Sequence, residues 1–479
     1  MKNLLLPSLI LLVFTCPPRP AAARPYSLDE MLALAHKGNP GLAAGAQATA
    51  SIAAQLLEAR RSYMPSGELN STLAQAPKIN CSQPEILDGN GNPTGYKFSG
   101  SSQDTCIQTN AVGYSPSNIL SAITPAGVYT RTELKLVQPI YTFGKLSAGV
   151  AAAESGIKAS QSREDGLWAD LELNVRKAYW AAKLAREIVA TLEEGSGYLD
   201  SAQEKIEKEL AEGTGDARVT DRLRLRTMRA DIDARLLEAK RGRDLALSGL
   251  RALIGPGAPA DLDIDAEALT ALSVPGRSLP QYEEEAQRSR PEVRALEYMV
   301  AAKRALADLE TKKQYPDLFL VGTATYAYAS SVDTPHNAFA NDPFHVAGGA
   351  VAAGFRWPLD LGVRNAHAVR LRAEAEEAEQ TRREAMTGIT FDVEKATTEL
   401  KEAESRMSTT KVGEKAGRQW VAAVAQNLAV GLAEARDFSD ALLAFFQARI
   451  RLMQSIYDFN IAAAQLSRAT GVDVTAARL

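Results

Sequence analysis

The sequence predicts a mainly α-helical fold that also contributes amphipathic strands to a membrane β-barrel. The first observation is a tandem duplication, because markers in the two halves of the chain recur at constant offsets. The second is a pair of proline-free segments, 145–212 and 363–430, whose composition is that of very long helices. The third is a stretch in which polar and apolar residues alternate, as they do in strands that face lipid on one side and water on the other.

The first 23 residues are expected to be a signal peptide. Lys2 precedes an apolar run at residues 4–14, and three alanines at 21–23 supply the small residues that signal peptidase selects. The run is shorter than the about 20 apolar residues of a membrane-spanning helix. A lipid anchor at Cys16 is the alternative, which the flanking Thr and Pro disfavour.

Charge and hydropathy exclude two classes of protein. The full chain has a formal net charge of −4, which becomes −6 without the two bases of residues 1–23. A mildly acidic chain is a poor binder of nucleic acid. No segment after residue 23 reaches the length of a spanning helix, which excludes a bundle of membrane helices.

The duplication is visible in two helices bounded by prolines. Pro40 and Pro65 are 25 residues apart, and so are Pro291 and Pro316. The first proline of each pair stands in the first turn of a helix, where it is tolerated, and the second forces the residue before it out of helical conformation. A short acidic helix is predicted before each of the two segments.

Glycines mark the later part of the repeat. Gly144 and Gly362 are 218 residues apart, as are Gly213 and Gly431. The prolines recur at a larger offset of 251, so the first copy contains 33 additional residues, which we expect to form a loop.

Two cysteines remain after the signal peptide. Cys81 and Cys106 lie in the additional loop, which is rich in Gly, Asn, Ser and Pro. In the oxidising compartment of an exported chain such a pair is expected to form a disulfide. Two unpaired thiols are the alternative.

Four strands are predicted, two in each copy. The clearest covers residues 127–141, where every second residue from Val128 to Leu136 is Val, Thr or Leu and those between are charged or aromatic. Its length suits a membrane crossing, whereas an ordinary surface hairpin with one wet face is the alternative. The other strands are expected at about residues 66–76, 317–329 and 345–358.

Each long helix is followed, after a glycine, by a shorter return helix, at 216–254 and at 433–470. The first copy thus covers residues 24–254, an irregular linker covers 255–278, the second copy covers 279–472 and a tail covers 473–479. An alanine-rich stripe with alternating three- and four-residue spacing predicts coiled-coil packing; its members are Leu167, Leu171, Val175, Ala178, Ala182, Ala185, Val189 and Leu192.

No residue pattern indicates catalysis. The four histidines, His36, His336, His345 and His367, form no zinc-binding motif, alone or with the cysteines. Neither a phosphate-binding loop with its lysine nor a nucleophile elbow occurs. We therefore expect no enzymatic activity, no cofactor and no metal site.

The chain resembles the TolC-type outer membrane efflux proteins. The resemblance rests on the duplication and on the segments YSLDEMLALAHKGNPGL, QPIYTFGK, WPLDLGVR and AVGLAEARDFSDAL, and it covers residues 26–472. It implies a homotrimer whose chains each give four strands to a twelve-stranded outer-membrane barrel, while the helices form a coiled-coil periplasmic tunnel. Oligomerisation also follows from physics, because four strands cannot close a barrel and lipid does not tolerate open strand edges.

The resemblance implies functional residues at the hairpin turns. A periplasmic adaptor protein would contact Gly213 and Thr214 in the first copy and Val430, Gly431 and Leu432 in the second. The first turn reads Glu-Gly-Thr and departs from the Val-Gly-Leu of the family.

An acidic ring is implied just after the second turn. Asp437 and Asp440 occupy the positions at which the family narrows its tunnel with aspartates, and three residues apart they share a helix face. In a trimer, six carboxylates would surround the constriction, attract cations and hinder anions. Without the resemblance, two aspartates on a polar helix are usually a solvated face.

The resemblance therefore implies a passive exit duct in the outer membrane that extends into the periplasm. The expected partners are further copies of the chain, outer-membrane lipid, the adaptor and, indirectly, an inner-membrane pump. The cargo, whether drug, metal ion or protein, is not specified. One alternative is an adaptor protein, which would need a lipoyl-like domain beside a single hairpin; another is a coiled-coil scaffold, which the strands and the signal peptide disfavour.

Overall fold

The structure is a computed structural model that describes residues 25–76, 79–82, 85–87, 89–90, 93–96, 105–108, 127–213, 218–334, 342–429, 433 and 435–475. The chain forms two compact units. Unit 1 comprises Met1–Ser51, Ile157–Met299 and Ala378–Leu479, and unit 2 comprises Ile52–Gly156 and Val300–Glu377. Each unit contains segments of both sequence copies, so the compact units differ from the repeats.

Helices make up most of the described chain, as predicted. In chain order they are α1 Leu28–Gly38, α2 Pro40–Arg61, α3 Lys145–Glu212, α4 Val219–Ile254, α5 Leu279–Ser289, α6 Pro291–Lys312, α7 Leu361–Ala429 and α8 Ala435–Thr470. Corresponding helices of the two copies have 11 and 11, 22 and 22, 68 and 69, and 36 and 36 residues. Such matched lengths are what a tandem duplication produces.

The strands are β1 Pro25–Tyr26, β2 Ser66–Ala76, β3 Ile79–Ser82, β4 Glu85–Leu87, β5 Pro93–Tyr96, β6 Thr105–Gln108, β7 Gly127–Tyr141, β8 Asp263–Ile264, β9 Asp317–Ala329 and β10 Val346–Arg356. The four long strands form one antiparallel sheet in unit 2, in the order β10–β9–β7–β2. β3 pairs with β6, β4 pairs with β5, and β1 pairs in parallel with β8. The predicted combination of long helices with a small amphipathic sheet is confirmed.

The register of the sheet separates an apolar face from a charged face. Leu69 lies opposite Leu134, which lies opposite Ala324 on β9. On the other face Glu68 lies opposite Lys135. Large side chains of the first face are exposed in the single chain; they are Leu69, Leu73, Val128, Leu134, Leu136, Leu318, Leu320, Tyr326, Tyr328, Val351 and Phe355. This face therefore has no protein cover within the described chain.

Both helix-to-strand junctions of unit 2 lie at the expected prolines. α2 ends at Arg61 and β2 begins just after Pro65, while α6 ends at Lys312 and β9 begins just after Pro316. Lys145, the first residue of α3, donates to a carboxylate oxygen of Asp317 at 2.8 Å. This partly buried ion pair joins the helix start of one copy to the strand start of the other.

In unit 1, α3 and α8 are the central helices. Arg449 of α8 binds Glu194 of α3 at 2.8 Å. On the other side of α8, the hydroxyls of Ser455 and of Thr410 on α7 lie 2.7 Å apart. Lys240 of α4 binds Glu193 of α3 at 3.1 Å. α3 and α8 thus pack together, with α4 beside α3 and α7 beside α8, and α4 also contacts α8 near the start of α8. We call α4 and α7 the edge helices.

The predicted apolar stripe of α3 is mostly buried. Leu171, Val175, Ala182, Ala185, Val189 and Leu192 are each no more than 8% exposed. Ala178 is partly buried, and Leu167 is 46% exposed in the single chain. A Cβ atom at Gly45 of α2 would lie 3.0 Å from Cδ1 of Leu167, so the absence of a side chain at Gly45 leaves Leu167 partly uncovered.

A glycine in left-handed conformation follows each return helix. Gly255 after α4 has φ of 93° and Gly471 after α8 has φ of 75°. A Cβ atom at Gly255 would lie 2.7 Å from the carbonyl oxygen of Gly38, and one at Gly471 would lie 2.8 Å from the backbone nitrogen of Arg290. Both the conformation and the close approach of the short helices α1 and α5 therefore require glycine.

Replacing Gly255 tests this packing. Gly255→Ala should lower the free energy of unfolding by roughly 1–3 kcal/mol, because it adds backbone strain and a clash. The measurement is the thermal midpoint of the helical circular dichroism signal of the detergent-solubilised protein. Gly249→Ala, inside α4, is the control: a Cβ there meets no atom within 4 Å, and alanine favours helix. Equal midpoints for the two variants would contradict the packing argument.

A network of ion pairs joins four helices of unit 1. Arg468 of α8 binds Asp170 of α3 at 2.6 Å and also binds Glu292 of α6. Arg290, just before α6, lies 3.3 Å from Asp392 of α7. Burial alone would raise the pKa of Glu292, but the hydrogen bond and the charge of Arg468 hold that pKa below its usual value.

The network predicts a dependence of stability on pH. Since the folded pKa of Glu292 lies below its usual value of 4.5, its stabilising contribution is present above that pH and is lost as the pH falls through the folded pKa. Glu292→Gln should lower the thermal midpoint at neutral pH and flatten its decline in acid. Glu284→Gln is the control, because the pair of Glu284 with Arg288 is exposed on α5. A decline in acid as steep as that of the unmodified protein would refute the assignment.

Candidate functional site

The candidate site is formed by the helix ends beside the two hairpin turns. Gly213 follows α3 with φ of 63°, the left-handed conformation that ends a helix. α4 begins at Val219, and the carboxylate of Asp221 accepts a hydrogen bond at 3.0 Å from the backbone N–H of Arg218, which caps the helix. In the second copy, α7 ends at Ala429 and α8 begins at Ala435.

Most of the residues expected to contact an adaptor lie outside the described residues. These are Thr214, Val430, Gly431 and Leu432. Gly213 is the described member of the set. It ends α3, and it has that role whether or not an adaptor protein binds there. The adaptor contacts therefore stay a prediction.

Asp437 and Asp440 both lie in the first two turns of α8. Asp437 is exposed and belongs to the first turn, where a carboxylate is stabilised by the unpaired backbone N–H groups of the helix start. The side chain of Asp440 is 40% exposed. The structure thus brings the two expected aspartates to the start of one helix.

An arginine of the other hairpin binds Asp440. A terminal guanidinium nitrogen of Arg224, on α4, donates to one carboxylate oxygen of Asp440. The other carboxylate oxygen lies 4.0 Å from Arg436 on α8 itself. The contact joins α4 of the first copy to α8 of the second, and the sequence analysis did not foresee it.

The sequence contained a signal for this arginine. α4 begins with a cluster of basic residues that includes Arg222, Arg224, Arg226 and Arg229. Arg226 lies 4.0 Å from Glu207 on α3, and Arg229 binds Asp233 on its own helix at 3.0 Å. The cluster is visible in the sequence, but only the pairing of the helices decides which arginine faces α8.

The helices pack closely beside this ion pair. A Cβ atom at Gly195 of α3 would lie 3.3 Å from the ring of Phe446, and one at Gly417 of α7 would lie 3.2 Å from the Cα atom of Phe445. α8 therefore places two adjacent phenylalanines against glycines of its two neighbours. The apolar cavity between α3, α4 and α8 is about 40 Å³, far below the roughly 300–1,000 Å³ of ligand pockets.

The additional loop of the first copy contains the cysteines. In the backbone register of β3 and β6, Cys81 lies directly opposite Cys106. Opposed residues of antiparallel strands have Cα atoms about 4.5–5.5 Å apart, within the range of disulfides. The disulfide itself stays a prediction.

Within the described ranges, no group of three or more His, Cys, Asp or Glu side chains could hold a metal ion. None of the described helices is both long enough and apolar enough to cross a membrane. His336 lies outside the described residues, while His345 is held at 2.9 Å by Asp342 and at 3.0 Å by the carbonyl oxygen of Ala329.

Part of the chain matches a known protein family. A sequence model described as outer membrane efflux protein matches residues 283–472. The cobalt-zinc-cadmium resistance protein CzcC of Cupriavidus metallidurans is 25% identical over 338 residues, which are 70% of this chain and 75% of CzcC. Residues 283–472 thus have the sequence pattern of outer membrane efflux proteins, as the resemblance to TolC-type proteins predicted.

Solved channel structures share the fold. The CmeC outer membrane channel of Campylobacter jejuni has a TM-score of 0.69 and 16% identity, over 93% of this chain and 86% of that chain. The open state of the MtrE outer membrane channel of Neisseria gonorrhoeae has a TM-score of 0.66 and 17% identity, over 93% of this chain and 89% of that chain. Both neighbours are described as outer membrane channels.

Proposed function

We propose that this protein is the outer-membrane exit channel of a tripartite efflux or type I secretion system. It conducts cargo passively from an inner-membrane pump and a periplasmic adaptor to the cell exterior. The observation that carries the proposal is the four-stranded sheet, with its uncovered apolar face and two free edges, in a chain that matches the efflux family over residues 283–472. The energy source lies in the pump.

The edges of the sheet support assembly from several copies. β2 and β10 are the edge strands, and each has 11 residues. Because all neighbours are antiparallel, β2 and β10 run in opposite directions. β10 of one copy therefore pairs antiparallel with β2 of the next, and the ring closes. Three copies, the number of the family, make a barrel of twelve strands that faces lipid with the apolar side chains.

The edge helices of unit 1 support the same assembly. α4 exposes Leu237 and Leu245, and α7 exposes Val412 and Trp420. A neighbouring copy that packs α7 against α4 covers these side chains, in the coiled-coil manner that the thin buried stripes allow. An adaptor protein has a single hairpin, so the two matched hairpins of this chain favour the channel.

The hairpin ends are the proposed contact with the adaptor, through Gly213 and Thr214 and through residues 430–432. Asp437 and Asp440 form the proposed constriction. The residues before Arg24 are the proposed signal peptide, and Cys81 and Cys106 the proposed disulfide. The relative CzcC is named for resistance to cobalt, zinc and cadmium, which makes divalent transition-metal cations the first cargo class to test.

Single-channel recording tests the proposed constriction. The purified protein should form channels in a planar lipid bilayer that multivalent cations block from the side of the helix ends. Asp437→Ala combined with Asp440→Ala should weaken that block by about tenfold or more, since carboxylates are removed from a narrow ring. Glu399→Ala with Glu402→Ala is the control, because these acids are also three residues apart and exposed on α7. Unchanged block would contradict the acidic ring, and the absence of channels would contradict the proposed function.

A further inference from the structure

Asp440, one of the two aspartates of the proposed constriction, takes part in an ion pair. Asp440 has a guanidinium from another helix in contact with its carboxylate, donated by Arg224. The side chain of Arg224 is 36% exposed and that of Asp440 is 40% exposed, so the pair is partly screened from water. The negative charge of Asp440 is therefore offset by a positive charge within the same chain.

The neighbouring arginines have other partners. Arg226 is directed at Glu207 of α3, with 4.0 Å between the charged atoms. Arg229 binds Asp200 of α3 and Asp233 of its own helix. Arg436 is 4.0 Å from Asp440, but its side chain is 68% exposed. Of these three arginines of α4, Arg224 is the one that pairs with the second hairpin.

We propose that Arg224 sets the ion preference of the constriction by neutralising Asp440. The inference rests on the proposed channel function, in which Asp437 and Asp440 of each copy surround the constriction. It assigns a specificity-determining role to a residue of α4, a helix that contributes neither aspartate of the proposed constriction. Arg224 acts at the contact between the two hairpins of one chain.

The physical basis is the difference between a charge and a dipole. A carboxylate in contact with a guanidinium attracts a passing cation much less than a bare carboxylate does, because the two charges nearly cancel beyond a few ångströms. A guanidinium remains charged at every pH that a cell meets, so Arg224 offsets the charge of Asp440 at all of these pH values for as long as the two side chains are in contact. Removing either partner leaves the other charge uncompensated beside the constriction.

The inference predicts opposite effects for the two partners. Arg224→Ala leaves Asp440 as a full negative charge, so the channel should prefer cations more strongly. Asp440→Ala leaves Arg224 as a full positive charge, so the preference should shift towards anions. The double variant should return close to the unmodified protein, because it removes a pair whose net charge is zero.

The experiment is single-channel recording of the full chain in planar bilayers, with hexaamminecobalt(III) as the blocking cation and a potassium chloride gradient for the reversal potential. Arg224→Ala should strengthen the block by about three- to tenfold and shift the reversal potential towards that of potassium. Arg224→Lys, which keeps the charge, should restore most of the original behaviour. Arg226→Ala is the matched control, since it removes an equal charge two residues away that pairs with α3.

The outcomes separate the inference from the function on which it rests. If Arg224→Ala and Arg226→Ala change block and reversal potential equally, only the total charge of α4 matters and the inference is wrong. If Asp440→Ala and Arg224→Ala shift the reversal potential in the same direction, it is also wrong. A protein that forms no channel at all refutes the proposed function, whereas channels that are indifferent to Arg224 refute the inference alone.

Discussion

An unpaired strand edge cannot face lipid, because each free backbone N–H and C=O group costs several kcal/mol in hydrocarbon. The sheet of this chain has two such edges, β2 and β10, beside a face of exposed leucine, valine and aromatic side chains. The proposed assembly follows from this constraint, since four strands are too few to close on themselves. Copies that pair β10 with β2 remove both edges at once and turn the apolar face towards lipid.

The long helices also need neighbours, because their apolar side chains must be covered. A helix of 68 or 69 residues with a thin apolar stripe cannot build a thick core, so its stability depends on neighbours along its whole length. In unit 1, contacts with other helices hold α8 at both of its ends. The ion pairs of Arg468 and the glycine at 471 hold one end, and the contact of Arg224 with Asp440 lies at the other.

The type and order of the elements could be predicted from the sequence because their signals are local. Pro65 and Pro316 separate helix from strand within a few residues, and the alternation of residues 127–141 is a property of one strand. The exposure of Leu167 and the role of Arg224 could not be predicted. Leu167 depends on a glycine of α2, and Arg224 meets an aspartate 216 residues later in the chain. Such contacts are decided by which helices pack together, and the composition of a single helix does not contain that information.

The central claim is that the free edges of the sheet pair between copies. It is tested most directly by cysteines at the middle of the two edge strands, Ser71→Cys on β2 and Val351→Cys on β10, in a chain with Cys81→Ser and Cys106→Ser. Treatment of intact cells with a short bismaleimide should give covalent dimers and trimers only when both cysteines are present. Ser71→Cys with Gly322→Cys, on the interior strand β9, should remain monomeric. Monomers alone from the edge pair, or equal cross-linking of both pairs, would contradict the claim.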